Sequence, residues 1–489
     1  MAKTIHIAAV SIPAFSHQAS IIEFCKKLLH LHHHYHVTCI FPTIDAPVAA
    51  TLKLLQSLPS TIDFKFLPPV NKQDLPQDVS PAVQIQLAVS QSMPSFRDTM
   101  RSLHSTTPHL TALIADPFAN EALEIGKEFN LLSYIYFPPS AMTLSLFLHL
   151  PKLHEEVSCE YRDLTEPIQI PGCIPIQGQD LPEHFQDRSS LAYDLILKRC
   201  KRFSLADGFL VNSFLELEEG TVKALQEQNR GNRGENRGNR GKNRGNRDSP
   251  VFLVGPVIQT GPSSEPKGSE SEYCVRWLEN QIPKSVLYVS FGSGGTLSQE
   301  QMNELAFGLE LSGQKFLWVV RAPSDSANAA YLGVGNEDPL KFLPSGFIER
   351  TKGQGLVIPS WAPQTQILSH SSIGGFLTHC GWNSVLESIV LGVPMITWPL
   401  FAEQRMNAVL LTDGVKVALR PKFDENGIVK REEIAVVVKG LMQGEEGNGI
   451  HHRIEVLKEA AADALKEDGS STRALSQFGN QIENFLALK

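Results

Sequence analysis

The chain has 489 residues, of which 42% are hydrophobic and 20% charged, with a formal charge of −8 at pH 7. A length beyond the ~250–300 residues at which one core stops growing calls for two domains. The ordinary composition excludes a largely disordered chain, and the acidic balance excludes a general polyanion-binding protein.

Ile5–Ile12 reads as a buried first strand stopped by Pro13, and its His6 and sparse basic charge make it a poor secretory signal. Ala19–Leu31 follows as a helix, with Ile21, Ile22, Cys25, Leu28 and Leu29 recurring on one face. His36–Phe41, Leu110–Ala115 and Ser133–Phe137 read as further strands and Glu121–Phe129 as a helix, the βαβ rhythm of a parallel sheet. His32, His33, His34 and His36 are expected to be solvated imidazoles of a helix-to-strand turn rather than metal ligands. The most apolar stretch, Tyr134–Leu150, is broken by Pro138 and Pro139, so no membrane span and no stable membrane insertion are expected. The seven cysteines (Cys25, Cys39, Cys159, Cys173, Cys200, Cys274 and Cys380) are odd in number and lack a C-x-x-C pair. Reduced thiols in a cytoplasmic protein are expected, not a disulfide framework or a zinc site.

Residues 229–247 form a low-complexity Arg/Gly/Asn array with six arginines and one lysine against Glu235. With nothing apolar to bury, it is expected to be a disordered surface loop. A nucleic-acid tether is the competing reading, and the lack of interleaved aromatics argues against it. Val254–Ile258 then leads into a Gly/Ser/Glu-rich linker reaching about Ser271, which places a domain boundary near residue 258.

The alternating rhythm restarts with strands at Val286–Phe291, Phe316–Val320, Gly355–Ile358, Gly375–Thr378, Met395–Trp398 and Val415–Leu419, and a helix at Gln299–Leu311. Residues 1–258 and 259–470 are thus expected as two doubly wound domains. The last helix, within 471–489, could return to either.

Within the second domain, Thr378–Ser384 leaves a strand, turns at Gly381 and opens a helix at about Asn383. Backbone N–H groups and the helix dipole would there meet a diphosphate. His379, Asn383 and Ser384 add donors, Glu387 could accept both hydroxyls of a ribose, and Trp361 offers a flat face to a base. The bland alternatives are a core tryptophan, a turn histidine and an Asn-Ser helix cap. In the first domain, His17 after one strand and Asp116 ending another lie where a doubly wound sheet binds ligands. Their bland readings are a helix-entry residue and an N-cap before Phe118. No Asp-x-Asp occurs, so the usual carboxylate clamp for a diphosphate-bound metal is missing.

The whole segment Trp361–Gln404 resembles, without gaps, the signature box of the plant secondary-metabolite branch of family 1 UDP-glycosyltransferases. The runs HLPKLHEEVSCEYRD, IPGCIPI, VLYVSFGSGGTLS and RMNAVLLTDGVKVALRPK are similar to the hydroquinone glucosyltransferase (arbutin synthase) group of that family. The resemblance implies an α/β fold of GT-B architecture, two facing Rossmann-like domains with acceptor on the first and donor on the second. It implies that Trp361, Ala362 and Gln364 hold the uridine and Glu387 the ribose. His379, Asn383, Ser384 and Ser293 would bind the diphosphate, and Glu403 and Gln404 the sugar. Trp382 with Gln404 resembles glucose users, and Ser140 stands where the family has a hydroxyl near the donor sugar. His17 would be the base and Asp116 the acid that orients it.

The activity so implied is an inverting transfer of glucose from UDP-glucose to a small phenol, giving a β-glucoside. UDP-glucose is then a co-substrate, with no cofactor, metal or nucleic acid and a monomeric protein. A UDP-sugar epimerase and a non-catalytic UDP-sugar-binding protein are the alternatives. A phenol of pKa ~10 facing an imidazole of ~6.5 would cost about 4.8 kcal/mol to deprotonate in advance. The base must therefore act while the C–O bond forms. One departure stands out: Ser16 and Ala19 occupy positions where the family has glycine and proline, which bears on the acceptor pocket.

Overall fold

Strand β1 (Ile5–Val10) is buried along its whole length, as a parallel strand covered by helices on both faces must be. Ile5, Ile7 and Ala9 enter one apolar cluster and Ala8 and Val10 the cluster on the opposite face. The computed structural model describes residues 4–235, 249–259, 270–328 and 337–489. The chain divides into one unit of Met1–Gln179, His184–Ile258 and Asp463–Lys489 and a second of Asp180–Glu183 and Gln259–Ala462.

In the first unit β1 is joined by β2 (Tyr35–Phe41), β3 (Ile62–Phe66), β4 (Leu110–Ala115), β5 (Leu132–Phe137), β6 (Gly208–Val211) and β7 (Val251–Leu253). They form a parallel sheet in the order β3-β2-β1-β4-β5-β6-β7. Its early helices are α1 (Phe15–Leu31), α2 (Ala49–Leu55), α3 (Pro81–Thr106), α4 (Ala122–Glu128), α5 (Ala141–Glu156), α6 (Leu191–Arg202) and α7 (Glu219–Glu235).

The second unit holds α8 (Glu270–Glu279), β8 (Val286–Ser290), α9 (Gln299–Ser312), β9 (Lys315–Val320), α10 (Phe347–Arg350), β10 (Gly355–Pro359), α11 (Gln364–Leu368) and β11 (Ile373–Thr378). It continues through α12 (Trp382–Leu391), β12 (Met395–Thr397), α13 (Gln404–Val409), β13 (Ala418–Leu419), α14 (Arg431–Gln443) and α15 (Glu445–Ala464). Its strands are also parallel, in the order β10-β9-β8-β11-β12-β13. Among the described residues no helix is long and apolar enough to cross a membrane.

Helix α16 (Ser470–Ala487) belongs to the first unit, with Leu475, Phe478 and Ile482 in the cluster of Tyr134 and Phe252. Ser471 Oγ donates to Gly255 O, and Tyr35 and Tyr134 reach Gly479 O and Gln481 through their hydroxyls. This helix changes the reading of the histidine run. His32 stacks on Tyr35 with ring centroids 4.8 Å apart, and His34 Nε2 lies 3.1 Å from Glu483. The His32 side chain is thereby largely withdrawn from water against α16, whereas His34 keeps 36% of its side chain exposed beside Glu483.

Three further differences have local causes. Helix α1 starts at Phe15, four residues before the expected start, so His17 lies in its first turn. The strand expected over 415–419 shrinks to Ala418–Leu419, because Leu410–Gly414 forms a π-turn closed by Val415 N–H on Leu410 O. Helix α7 runs on to Glu235, so residues 229–235 are helical where a loop was expected. Val222 and Leu225 anchor its start in the core, and extending a formed helix is far easier than nucleating one. Residues 236–247 of that array lie outside the described residues.

Candidate active site

Each sheet has a switch point, where successive connections leave in opposite directions and open a crevice at the carboxyl ends of the strands. In the first unit it falls between β1 and β4, and His17 and Asp116 follow those two strands. Asp116 N–H bonds Val10 O at 2.9 Å, which fixes the residue at the end of the β1–β4 ladder.

His17 Nδ1 donates to Asp116 Oδ2 at 2.7 Å, with the carboxylate buried and the His17 side chain 22% exposed. The other carboxylate oxygen accepts Phe118 N–H at 2.9 Å. Asp116 therefore caps the following turn and orients the imidazole at once, and its bond to His17 Nδ1 fixes the tautomer that places the lone pair on Nε2. Phe118 meets the His17 ring edge-to-face at 5.6 Å. Ser16 sits inside the first turn of α1 in helical backbone, so its Cβ is accommodated there. Gln18 donates to Ile12 O and accepts from Thr51, holding the entry to the helix.

Ser140 follows β5, the strand beside β4. It is the N-cap of α5, with its hydroxyl accepting from Thr143 N–H and paired with Thr143 Oγ1 at 2.8 Å.

In the second unit the switch point falls between β8 and β11, whose last paired residues are Ser290 and Thr378. After β8 the chain turns at Gly292 with φ of 71°, leaving Ser293 exposed. Arg321, the residue after β9, donates to the carbonyl of Gly292. After β11 Cys380 takes φ of 63°, and Asn407 Nδ2 holds its carbonyl at 2.9 Å. The His379 ring is flanked by Gly292 and Gly381: a Cβ on either would fall well inside van der Waals contact with it. Burial, helped by the Arg321 charge, pushes the His379 imidazole down to about 3, so it is neutral at any working pH. Its Nδ1 is buried without a hydrogen-bond partner among the described residues.

Gly381 is the N-cap of α12 and supplies no side-chain bond to the first turn, whereas Ser140 and Ser298 cap α5 and α9. The N–H groups of Trp382, Asn383 and Ser384 lie at the positive end of this helix. One turn on, Glu387 is buried, and desolvation pushes its carboxyl up to about 7 against the opposing hydrogen bond from Gln364. Gln364 Nε2 donates to Glu387 Oε2 at 2.7 Å and to Ser384 Oγ at 2.9 Å, joining α11 to α12.

Ser360, at φ of 64°, turns the chain after β10, so that Trp361 is 49% exposed while Ala362 is buried. A tryptophan half in water is not a core residue. Trp382 by contrast is almost wholly buried. Glu403 is the N-cap residue of α13. Gln404 Oε1 accepts N–H bonds from Leu400 and Phe401, which leaves the donor role to its NH2 end. Among the described residues, no three His, Cys, Asp or Glu side chains are grouped to hold a metal ion.

Arg321 and Asn407 were not singled out from sequence. Arg321 follows the apolar run Phe316–Val320, and a polar residue closing a buried parallel strand is the one signal that points to it.

The profile described as UDP-glucoronosyl and UDP-glucosyl transferase matches residues 263–440. A hydroquinone glucosyltransferase of Rauvolfia serpentina is 50% identical over 99% of both chains. An anthocyanidin 3-O-glucosyltransferase of Manihot esculenta is 38% identical over 98% of this chain and 95% of its own. Among solved structures, a Polygonum tinctorium UDP-glucosyltransferase capable of glucosylating indoxyl, in complex with 3,4-dichloroaniline, aligns with TM-score 0.87 and 45% identity, covering 99% of each chain. Phytolacca americana UGT2 complexed with UDP-2-fluoro-glucose and pterostilbene aligns with TM-score 0.85 and 43% identity, covering 98% of this chain and 100% of that one.

Proposed function

The chain belongs to the family of UDP-glucoronosyl and UDP-glucosyl transferases and is a glycosyltransferase of GT-B fold, and from that premise we propose that it transfers glucose from UDP-glucose to a hydroxyl of a small phenol with inversion at the anomeric carbon. The observation that carries this reading is the His17–Asp116 hydrogen bond of 2.7 Å at the β1–β4 switch point. It gives an imidazole whose Nε2 can accept a proton and whose resulting positive charge faces a buried carboxylate.

The phenolic oxygen attacks C1 of glucose while its proton passes to His17 Nε2, and the bond from C1 to the β-phosphate oxygen breaks. A single displacement on an α-linked donor gives a β-glucoside. The charge gathering on the leaving UDP falls to the N-terminus of α12 and to neutral donors, His379, Asn383, Ser384 and Ser293 among them. Trp361 stacks on the uracil, with Ala362 and Gln364 alongside. Glu387 accepts the ribose hydroxyls, and Glu403 and Gln404 take the sugar hydroxyls. The seven cysteines are free thiols, which suits a reducing compartment.

The test is turnover of the purified protein with UDP-glucose over a panel of phenols, with the product's anomeric proton read by NMR. A large axial–axial coupling, the mark of a β-glucoside, is expected. An α-glucoside, or consumption of UDP-glucose that is independent of every phenol, would overturn the proposal.

A further inference from the structure

Arg199, on α6, is a cation in the core of the first unit, 5% exposed. A buried charge is expensive unless a counter-charge meets it, and here no carboxylate touches it among the described residues. Its guanidinium lies 3.8 Å from the centre of the Phe118 ring and donates to Gln86 Oε1 at 2.6 Å. Its Nε is buried with no hydrogen-bond partner among the described residues. The carboxylate that acts on it through space is Asp116.

The surrounding bonds converge on one turn. Gln86 Nε2, from α3, donates to Phe118 O at 3.1 Å, and Asn120 Nδ2 donates to Arg199 O at 3.1 Å. The segment Asp116–Asn120 is thus gripped from α3 and α6, and the side chain that carries the charge is stacked on the ring whose other neighbour is His17. A charge retained at such cost, one aromatic ring from a proton-accepting imidazole, calls for a role that an apolar side chain could not fill.

We propose that Arg199 is a positioning residue for the His17–Asp116 pair: it steadies the Asp116–Asn120 turn through Phe118 and Gln86, and its charge opposes protonation of His17 so that the base stays neutral as the pH falls. The inference rests on the reading of His17 as the base. The other ionisable groups around the pair do not compete for this role. Burial drives the Tyr136 hydroxyl, bonded to Ser20, far up and the Cys200 thiol up to about 12, so both are neutral. Glu23 is paired with Lys26, and Glu121 with Arg202. Arg199 itself is drawn down only to about 10 by burial and stays charged.

The sign follows from Coulomb's law. A nearby cation disfavours imidazolium, so removing it makes His17 easier to protonate, and the neutral form is lost at a higher pH. A full charge one ring away at an effective dielectric of ~20 is worth on the order of 1–2 pKa units.

The experiment is the pH profile of kcat/KM for a phenol at saturating UDP-glucose in wild type, Arg199→Met, Arg199→Gln and Arg199→Lys. The acid limb should move up by about 1–2 units in the Met and Gln variants. It should stay near its wild-type position in Arg199→Lys, which keeps the charge while losing the fork. Replacing a buried charge by an apolar side chain of similar length is commonly neutral or stabilising, so Arg199→Met should fold. The Gln variant repeats the test if it does not. Lower turnover in all three with an unmoved limb would make Arg199 a purely structural residue and overturn the proposal. Full activity in His17→Ala would instead overturn the base assignment, which separates the two failures.

Discussion

If His17 takes the phenolic proton during attack, its loss must hurt least where the acceptor has already shed that proton. His17→Ala should lower turnover by roughly 10²–10⁴ with a phenol of pKa ~10. Most of the relative rate should return with a nitrophenol or polychlorinated phenol of pKa below ~7. Turnover measured across such a series decides the matter, and an equal loss at both ends would make the imidazole a pocket wall rather than a base. Glu387 gives a second test through pH. With its carboxyl pushed up to about 7 by burial, the ionised form, proposed as the acceptor of two ribose hydroxyls, grows as the pH rises from 6 to 8. UDP-glucose affinity should therefore rise about tenfold over that range, following the ionised fraction, and Glu387→Gln should flatten the curve. Calorimetric titration with UDP-glucose, whose diphosphate does not ionise in this window, reads it directly, and a flat wild-type curve would remove Glu387 from the ribose. His17 was legible in sequence because it follows a strand, and Glu387 because it lies one turn beyond the opening of a helix. Arg199 was not: in Lys198-Arg-Cys-Lys-Arg202 it looks like any solvated cation, and only packing against Phe118 tells it apart from its neighbours.

At the scale of elements, the turns after β8 and β11 depend on two glycines that make room for the His379 ring. Gly292 combines φ of 71° with contact to His379, so Gly292→Ala adds both backbone strain and a collision. The strain alone is worth about 1–2 kcal/mol. The cheapest relief is for His379 to swing away from the N-terminus of α12. We expect UDP-glucose affinity to fall at least about tenfold, as a loss above 1.4 kcal/mol requires, with a modest drop in melting temperature. Wild-type affinity in that variant would mean that the ring position is immaterial. Strand identities could be read along most of both sheets, since apolar β-branched runs separated by amphipathic helices leave few alternatives. Helix α1 shows where that reading stops. It has neither a side-chain cap nor an acidic residue in its first turn, so nothing local marks Phe15 as its start, and His17 is placed by packing on the sheet. The π-turn at Leu410–Gly414 is equally silent, because its extra residue per turn leaves no periodic trace over five positions.

Over the whole molecule, the destination of the last helix could not be read from its own residues, because an amphipathic helix fits any apolar face. What decides it is complementarity: Leu475, Phe478 and Ile482 meet Tyr134, Phe252 and the inner face of α1. Phe478→Ala should destabilise the first unit by roughly 3–5 kcal/mol. Hydrogen exchange followed by peptide should show faster opening in β4, β7 and α16 and unchanged rates in β8 and β11; equal acceleration in both units would contradict the division of the chain. The same helix sets an order of events during synthesis. Residues 259–462 of the second unit leave the ribosome before Asp463–Lys489, the piece that completes the first. At ~5–20 residues per second, the apolar face awaiting α16 stays bare for on the order of tens of seconds. The domain that is begun first is therefore finished last, and its yield in a cell depends on whatever shields that face in the interval, so a chain stopped short of Ser470 should be a client of chaperones and proteases even with every residue of both sheets in place.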